Sequence, residues 1–517
     1  MSTRPTQRRD GANQSGNRSG GKSSDSRNPA KAGERQERYV RPDRYDRSRN
    51  DRRPEAPPAE TARMRGEHLS PALFEHTQRL LGSVLTFTGP ADTLVSTYFR
   101  ANAKLGHRER GVLSETVFAI LRRKLEFGQH AGSGSGPLER RLALLGLAFT
   151  RGLASVQLVA TPDEVTWLEH VGQIDPASLS TRVRTNLPDW LYERLAKRFD
   201  AEELEPLAAA LNQPAPLDCR VNLIKGNRDD VLAQLRTDGF SAEPTPFAPN
   251  GIRLAGKPAL QKHALFVAGT IEVQDEGSQL LCQLVAPRRG EMIVDFCAGA
   301  GGKTLAIGAQ MRSTGRLYAF DVSEKRLAKL KPRLARSGLS NVHPVMIDSE
   351  NDSKIKRLAG KIDRVLVDAP CSGLGTLRRN PDLKWRQSPQ SVAELTQKQA
   401  SILASAARLV KPGGRLVYAT CSLLNEENSA IAEAFAASHP DFVLLPANEL
   451  LASQKIALDT GKYLELLPNR HATDGFFAAV FERRAAEKAD KAPKAPKVAA
   501  EASESSESTE TPETPAA

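Results

Sequence analysis

From residue 276 onward the chain repeats one order of elements: a short apolar run, a loop and then a helical pattern. The runs predicted to be strands are Met292–Phe296, Arg316–Val322, Val342–Ile347, Arg364–Val367 and Arg415–Thr420. This alternation is typical of a doubly wound parallel sheet with helices on both faces. Phe442–Leu445 and Phe476–Phe481 are expected to add a final antiparallel pair. We therefore predict an α/β domain over residues 276–484.

Two different patterns precede this domain. Over residues 66–186 apolar residues recur at spacings of three and four, which predicts an all-α domain. Residues 187–275 combine a predicted helix at Pro188–Phe199 with short strand-like runs at Leu217–Asn222 and Gly251–Leu254. This second region is predicted to be a small α+β module that contacts RNA.

The two ends of the chain differ from the rest in composition. Residues 1–65 and 485–517 are rich in charged and small residues and poor in apolar ones, so we predict that both are disordered. The first is a basic arm, whereas the second is a low-complexity tail to which we assign no function.

Charge narrows the class of partner. The 517 residues include 73 Lys and Arg against 61 Asp and Glu, and the resulting charge of +12 favours nucleic acid over a membrane surface. The first residues lack the apolar core of a signal peptide, and no apolar run is long enough to span a bilayer. Five well-separated cysteines argue against zinc and for reduced thiols. We predict a cytoplasmic protein with no membrane segment and no metal.

A glycine-rich loop follows the first strand, at Cys297-Ala298-Gly299-Ala300-Gly301-Gly302-Lys303-Thr304. A P-loop would need glycine at position 297 and a dinucleotide fingerprint would need it at 304, so neither motif fits. The remaining ligand is a nucleoside without a phosphate chain, S-adenosylmethionine. Asp321 and Asp348 end the next two strands, where they are placed to accept the ribose hydroxyls and the adenine amino group. In the alternative interpretation, both carboxylates only cap the helices that follow.

Two cysteines, Cys371 and Cys421, each come directly after a predicted strand. The carboxyl ends of parallel strands form the ligand crevice of such a sheet, so both thiols are expected at one site. A thiolate that adds to carbon 6 of cytosine makes carbon 5 nucleophilic, and the reaction also needs an acid and a base. Asp368 completes such a set. The alternative is two cysteines that only pack.

With these motifs, residues 188–482 resemble the bacterial Sun/Fmu (RsmB-like) and eukaryotic Nop2/Sun RNA 5-methylcytosine methyltransferases. The motifs that carry the resemblance are Val273-Gln274-Asp275-Glu276, Cys297 to Thr304, Asp368 to Gly373, Thr420-Cys421-Ser422, Glu427-Asn428 and Asp474-Gly475-Phe476-Phe477. The helical region resembles the NusB-type RNA-binding domain of the bacterial branch. The resemblance implies a Rossmann-like class I S-adenosylmethionine-dependent methyltransferase domain, preceded by the α+β module and a NusB-like domain.

The resemblance also implies roles for individual residues. Cys421 would be the nucleophile, Cys371 would assist breakdown of the covalent adduct, Asp368 would hold the cytosine edge and Lys303 would lie near the target base. Cofactor contacts would come from Cys297, Ala298, Gly299, Ala300, Gly301, Gly302, Lys303, Asp321, Asp348 and Asp368. The substrate implied is RNA, with ribosomal RNA favoured over transfer RNA, and the enzyme is expected to be a monomer. A non-catalytic RNA-binding assembly factor is the alternative from another class.

Two further features bear on binding. The family loop has Ala-Pro where this chain has Gly299-Ala300, and we expect cofactor binding to survive this looser sequence. The segment Thr376–Arg386 surrounds Trp385 with basic residues, which suits phosphate contact and base stacking, although Trp385 packed between helices is the alternative. Arg220 and Asn222 are also expected to face RNA.

Overall fold

The computed structural model describes residues 69–485. The arm predicted at residues 1–65 and nearly all of the tail predicted at 485–517 lie outside this range. Within it, no helix has both the length and the apolar character needed to cross a membrane.

The first part of the described chain is helical. It contains α1 (Pro71–Val84), α2 (Ala91–Ala101), α3 (His107–Arg122), α4 (Lys124–Gly132), α5 (Leu138–Arg151), α6 (Pro162–Gly172) and α7 (Thr181–Thr185). Helix α1 begins where the Ser70 side chain accepts a hydrogen bond from the Leu73 amide, with proline in the first turn. Helices α3 and α5 pack closely at Gly146. A Cβ there would lie 2.6 Å from the Ile120 side chain, so the contact needs a residue without a side chain.

The next part is a small mixed module. It contains α8 (Asp189–Ala196), α9 (Ala201–Leu211), β1 (Leu217–Val221), α10 (Arg228–Thr237), β2 (Ala242–Pro244), β3 (Gly251–Leu254), α11 (Ala264–Val267) and β4 (Ile271–Val273). Its strands form an antiparallel sheet in the order β2-β3-β1-β4. The prediction of a single helix at Pro188–Phe199 was incomplete, because the module contains α9, α10 and α11 in addition to α8.

The third part holds the large sheet. Its elements are α12 (Glu276–Val285), β5 (Met292–Asp295), α13 (Gly302–Gln310), β6 (Arg316–Asp321), α14 (Glu324–Ser337), β7 (Val342–Met346), α15 (Ser353–Lys356), β8 (Ile362–Asp368), α16 (Leu383–Arg386), α17 (Pro389–Ala407), β9 (Val410–Thr420), α18 (Ser429–Ser438), β10 (Phe442–Leu445), α19 (Ala447–Ala452), β11 (Leu464–Leu466), α20 (Pro468–His471) and β12 (Phe476–Arg483).

These strands confirm the predicted doubly wound sheet. The order is β10-β12-β9-β8-β5-β6-β7, with β11 paired to β12. Strands β9, β8, β5, β6 and β7 run parallel, whereas β12 is antiparallel to β9 and β10. Neighbouring residues face opposite sides of the sheet, so Ile293 packs in one buried cluster and Val294 in the other. Because β9, β8, β5, β6 and β7 run parallel, their carboxyl ends meet at one edge.

The segment Thr376–Arg386 joins the parts to one another. The Trp385 indole packs against the core of the helical part, and its Nε1 donates to the Leu121 carbonyl at 2.8 Å. Lys384 is buried, and its Nζ donates to the Arg122 carbonyl and to Asn212 Oδ1, both at 2.7 Å. The prediction that Trp385 stacks on RNA was thus wrong, because this face of the segment is used to pack the helical part.

Arg220 and Asn222 do not face RNA either. Arg220 is 6% exposed and donates to Gln274 Oε1 at 2.6 Å. Asn222 is 3% exposed and donates to the carbonyl of Ser337 at 2.9 Å. Arg220 is bonded to the residue that follows β4, and Asn222 joins the end of β1 to the end of α14, so the predicted RNA contact was wrong.

Candidate active site

One cavity of about 540 Å³ lies at the edge where β5, β6, β7, β8 and β9 end. It is lined by Cys297, Ala298, Gly299, Ala300, Gly302, Lys303, Asp321, Asp348, Asp368, Cys371 and Cys421. Every residue predicted for the site is in this set except Gly301. That glycine has φ +81°, and a Cβ there would lie 2.1 Å from the Leu330 side chain, so it packs the loop against α14.

The loop after β5 leads into the amino terminus of α13, whose backbone N–H groups form a region of positive potential. Asp321 supports this loop: one carboxylate oxygen accepts the Gly299 N–H at 2.8 Å, and the other accepts the Ser323 N–H at 2.7 Å. Asp321 therefore both stabilises the turn before α14 and lines the cavity. Asp348 is exposed at the cavity rim.

Asp295 gives the clearest sign of a ligand. The side chain is 1% exposed and lines the cavity, and its Oδ2 accepts the Thr304 hydroxyl at 2.6 Å. Its Oδ1 is buried without a hydrogen-bond partner among the described residues. Burial, reinforced by the charge of Asp368, raises the pKa of Asp295 to about 7. A ligand with an ammonium group would satisfy this oxygen, so the cavity fits the methionine end of S-adenosylmethionine.

Gly299 differs from the alanine of the family loop, and its backbone explains how the change is accommodated. Its φ is +56°, in the left-handed region that glycine adopts without strain. Among the described residues, no heavy atom outside Gly299 and its two chain neighbours lies within 4 Å of a Cβ placed there. The substitution therefore relaxes the backbone at this position rather than making room for a neighbour.

The two thiols lie side by side. The Sγ atoms of Cys371 and Cys421 are 3.3 Å apart, and the Cys421 backbone N–H donates to Cys371 Sγ at 3.3 Å. The contact with Cys421, together with burial, raises the pKa of Cys371 well above its ordinary value. Cys371 therefore keeps its proton at neutral pH.

Some cavity residues carried no signal in the sequence. Lys398 and Ile402 on α17 line the cavity, but their helical pattern is that of any surface helix. Gln274 also lines it; a motif of the resemblance contains this residue, but the resemblance implies no role for it. Among residues 69–485 no group of three or more His, Cys, Asp or Glu could hold a metal ion.

A doubly wound sheet with this glycine loop, these strand-end acids and this cavity defines a class I S-adenosylmethionine-dependent methyltransferase. Residues 282–482 match the family model of the 16S rRNA methyltransferases RsmB/F, and residues 187–261 match the RsmF/B-like ferredoxin-like domain. The chain belongs to this RsmB/F family. The predicted family, fold class and cofactor are confirmed.

Individual relatives and solved structures support the family assignment. The probable ribosomal RNA small subunit methyltransferase B of Synechocystis sp. is 37% identical over 307 residues, which cover 59% of this chain and 69% of the relative. The crystal structure of PH0851 has a TM-score of 0.64 and 26% identity, covering 80% of this chain and 99% of that one. A methyltransferase homologue from Pyrococcus horikoshii has a TM-score of 0.51 and 28% identity, covering 60% and 100%. The likeness of the helical part to a NusB-type domain stays a prediction.

Proposed function

We propose that the protein methylates carbon 5 of a cytosine in ribosomal RNA and that Cys421 is the nucleophile. The observation that carries the proposal is the pair of thiols 3.3 Å apart in the cavity that also contains the glycine loop. The family model and the Synechocystis relative are described as acting on small-subunit ribosomal RNA, which supports that substrate. The net charge of +12 suits a polyanion.

The reaction begins when the Cys421 thiolate adds to carbon 6 of the cytosine ring. The new carbon–sulfur bond makes carbon 5 electron-rich, and S-adenosylmethionine, when bound, supplies the methyl group that carbon 5 takes up. A base then removes the carbon 5 proton, and the electrons of that bond reform the ring double bond as Cys421 leaves as thiolate. We infer that Cys371, whose sulfur lies 3.3 Å from that of Cys421, assists this last step.

The remaining polar groups position the two reactants. Asp295, Asp321, Asp348 and the amides that begin α13 would hold the cofactor. Lys303 and Asp368, ion-paired at 2.6 Å, line the cavity together with the thiols, where they would contact the polar edge of the cytosine. Because the base must enter a crevice, the target cytosine must be single-stranded or flipped out of its stack.

The decisive experiment compares two single variants on an RNA substrate. Cys421→Ala should give no detectable methylation, whereas Cys371→Ala should accumulate a covalent protein–RNA adduct visible on a denaturing gel. The difference arises because the first variant cannot form the carbon–sulfur bond and the second cannot release it. Full turnover by Cys421→Ala would refute the proposed mechanism.

The RNA class needs a separate measurement. Bisulfite sequencing of total RNA from a deletion strain should show one unmethylated cytosine in ribosomal RNA that is methylated in the parent strain. Loss of a transfer RNA site instead would keep the chemistry and overturn the substrate. A cytoplasmic location and a monomeric state also stay predictions, the second of which size-exclusion chromatography with light scattering would test.

A further inference from the structure

A serine follows each of the two cysteines, and both serines are buried. Ser372 and Ser422 are each 1% exposed, and their hydroxyl oxygens lie 3.2 Å apart. The cysteine loops are therefore in contact twice, once through the thiols and once through the serines behind them. Any group that fixes the two serines also fixes the distance between the sulfur atoms.

Glu427 is that group. Its carboxylate is 0% exposed, and one oxygen accepts the Ser372 backbone N–H at 2.8 Å and Gln399 Nε2 at 3.0 Å. The other oxygen accepts the hydroxyls of both Ser372 and Ser422. Four donors thus converge on one carboxylate, and three of them belong to the residues next to the thiols.

The turn that carries this carboxylate is itself fixed to β9. The Tyr418 hydroxyl donates to the Glu427 carbonyl at 2.6 Å. Asn428 accepts the Thr420 hydroxyl at 2.5 Å and donates to the Ser422 carbonyl at 3.0 Å. The Glu427-Asn428 pair is thereby joined to the residues on either side of Cys421.

Burying a carboxylate in this position costs free energy, because the charge is removed from water. Among the described residues no lysine or arginine forms an ion pair with Glu427, so hydrogen bonds compensate for its burial. Apolar side chains of similar size would pack at lower cost. Its charge also adds to the effects of Cys421 and of burial that raise the pKa of Cys371.

We propose that Glu427 is a positioning residue, which holds the loops of Cys371 and Cys421 together through Ser372 and Ser422 so that both thiols meet one base. This inference rests on the proposed function. It assigns to the Glu427-Asn428 motif a role in aligning the thiols rather than in binding the cofactor. The cavity-lining residues of the glycine loop make no hydrogen bond with Glu427 in the part of the chain that the structure describes.

The test uses Ser372→Ala, Ser422→Ala and the double serine variant that combines them, together with Glu427→Gln and Glu427→Ala, all in the full-length protein. Each serine variant removes one donor from the carboxylate without adding bulk, and Glu427→Gln keeps the shape while removing the charge. We expect kcat to fall by roughly 100-fold in the double serine variant, because a small misplacement of reacting groups has an effect of this size. The Kd of S-adenosylmethionine, measured by titration calorimetry, should stay within about twofold of the parent value. Glu427→Gln should retain more activity than Glu427→Ala.

A second readout does not depend on turnover. Phenylarsine oxide bridges two thiols only when they are adjacent, and peptide mass mapping after alkylation shows which cysteines it protects. Phenylarsine oxide should protect Cys371 and Cys421 from alkylation in the parent protein. In the double serine variant this protection should be lost. Ser337→Ala is the matched control, since Ser337 is also buried at 3% exposure and donates to a backbone carbonyl. Its kcat and its protection pattern should equal those of the parent.

Two results would overturn the inference. One is full activity and intact protection in the double serine variant, which would show that the serines do not set the thiol geometry. The other is a loss of cofactor affinity and of the unfolding midpoint in proportion to the loss of kcat, which would show a role in folding alone. Neither result affects the proposed chemistry, because Cys421→Ala would still be inactive. Turnover by Cys421→Ala would instead refute the chemistry and leave the phenylarsine oxide result as evidence on geometry.

Discussion

The Lys303 Nζ lies 2.6 Å from a carboxylate oxygen of Asp368, inside the cavity that also contains both thiols. Burial of Lys303 opposes its charge, but the attraction of Asp368 outweighs this effect, so the pKa of Lys303 lies above its ordinary value. Lys303 is therefore a permanent cation at neutral pH, and Asp368 is the group that keeps it charged.

Replacing Asp368 with asparagine should expose this dependence. We expect kcat to fall by roughly 100-fold, the usual size of a lost acid–base contribution. The pKa of Lys303 should fall, because burial remains while its partner is gone. If activity needs the charged lysine, the residual activity should therefore be lost, as pH rises, at a lower pH than in the parent. A pH–rate profile checks this prediction.

The control for this experiment is Asp363→Asn. Asp363 is on the same strand, β8, but at its other end, where it accepts the Met292 N–H at 2.7 Å. Its replacement should leave kcat and the pH profile unchanged. Equal losses in both variants would mean that the strand, and not the ion pair, accounts for the effect.

The position of these residues follows from patterns that a sequence shows directly. A strand of alternating or continuous apolar residues ends where polar and glycine residues begin, and parallel topology brings those ends together. The sequence alone therefore assigns Cys371 and Cys421 to one edge, and β8 and β9 are neighbours in the sheet. The roles of individual residues at that edge stay predictions.

Contacts between distant segments could not be inferred in this way. Arg379 bonds to Asp275 and Asp474, which are 104 and 95 positions away, so nothing in the local pattern marks it as an internal ion pair. The basic segment around Trp385 resembled an RNA-binding surface for the same reason. Which face of a short helix packs depends on the domain that covers it, and local spacing does not contain that information.

The raised pKa of Asp295 predicts that the affinity for the cofactor depends on pH. Its pKa of about 7 means that the carboxyl group is partly protonated at neutral pH, and a cationic ligand binds the ionised form better. Affinity for S-adenosylmethionine should rise with pH and level off above pH 7, with a limiting slope of about tenfold per pH unit below it. Titration calorimetry at several pH values measures this slope.

Asp295→Asn separates this effect from titration of the ligand. The variant should bind more weakly than the parent at high pH and should lose the part of the pH dependence that belongs to the protein. An unchanged slope in the variant would assign the titration to the ligand or to another group, and Asp295 would then have no role in binding the ammonium group.

Trp385 should contribute to stability and not to RNA affinity. Trp385→Ala removes a side chain packed on the helical core and should lower the free energy of unfolding by about 3 kcal/mol. Trp385→Phe keeps an aromatic ring but loses the hydrogen bond to the Leu121 carbonyl, and it should lose about 1 kcal/mol. Urea unfolding followed by circular dichroism measures both. A raised KM for RNA at unchanged stability would restore the stacking role.

Gly375 tests how closely the loops around Cys421 approach each other. Its N–H donates to the Cys421 carbonyl at 2.8 Å and its own carbonyl accepts the Gly475 N–H at 2.8 Å. A Cβ at Gly375 would lie 2.1 Å from the Gly475 carbonyl oxygen and 2.9 Å from that of Cys421. Both neighbours are backbone atoms, so Gly375→Ala must displace a loop, with a loss of about 1–3 kcal/mol in stability.

The displacement should affect catalysis more than cofactor binding, because the Cys421 loop moves while the glycine loop after β5 does not. We expect kcat to fall by roughly 100-fold with the Kd of S-adenosylmethionine nearly unchanged. Gly128→Ala is the matched control: in residues 69–485, no heavy atom outside its chain neighbours and the backbone of its own helix lies within 4 Å of its Cβ position, and the residue is inside α4. Alanine there should stabilise the protein by about 0.5 kcal/mol and leave kcat unchanged. Normal turnover by Gly375→Ala would mean that Cys421 tolerates displacement of its loop, and the close fit between these backbones would then have no catalytic importance.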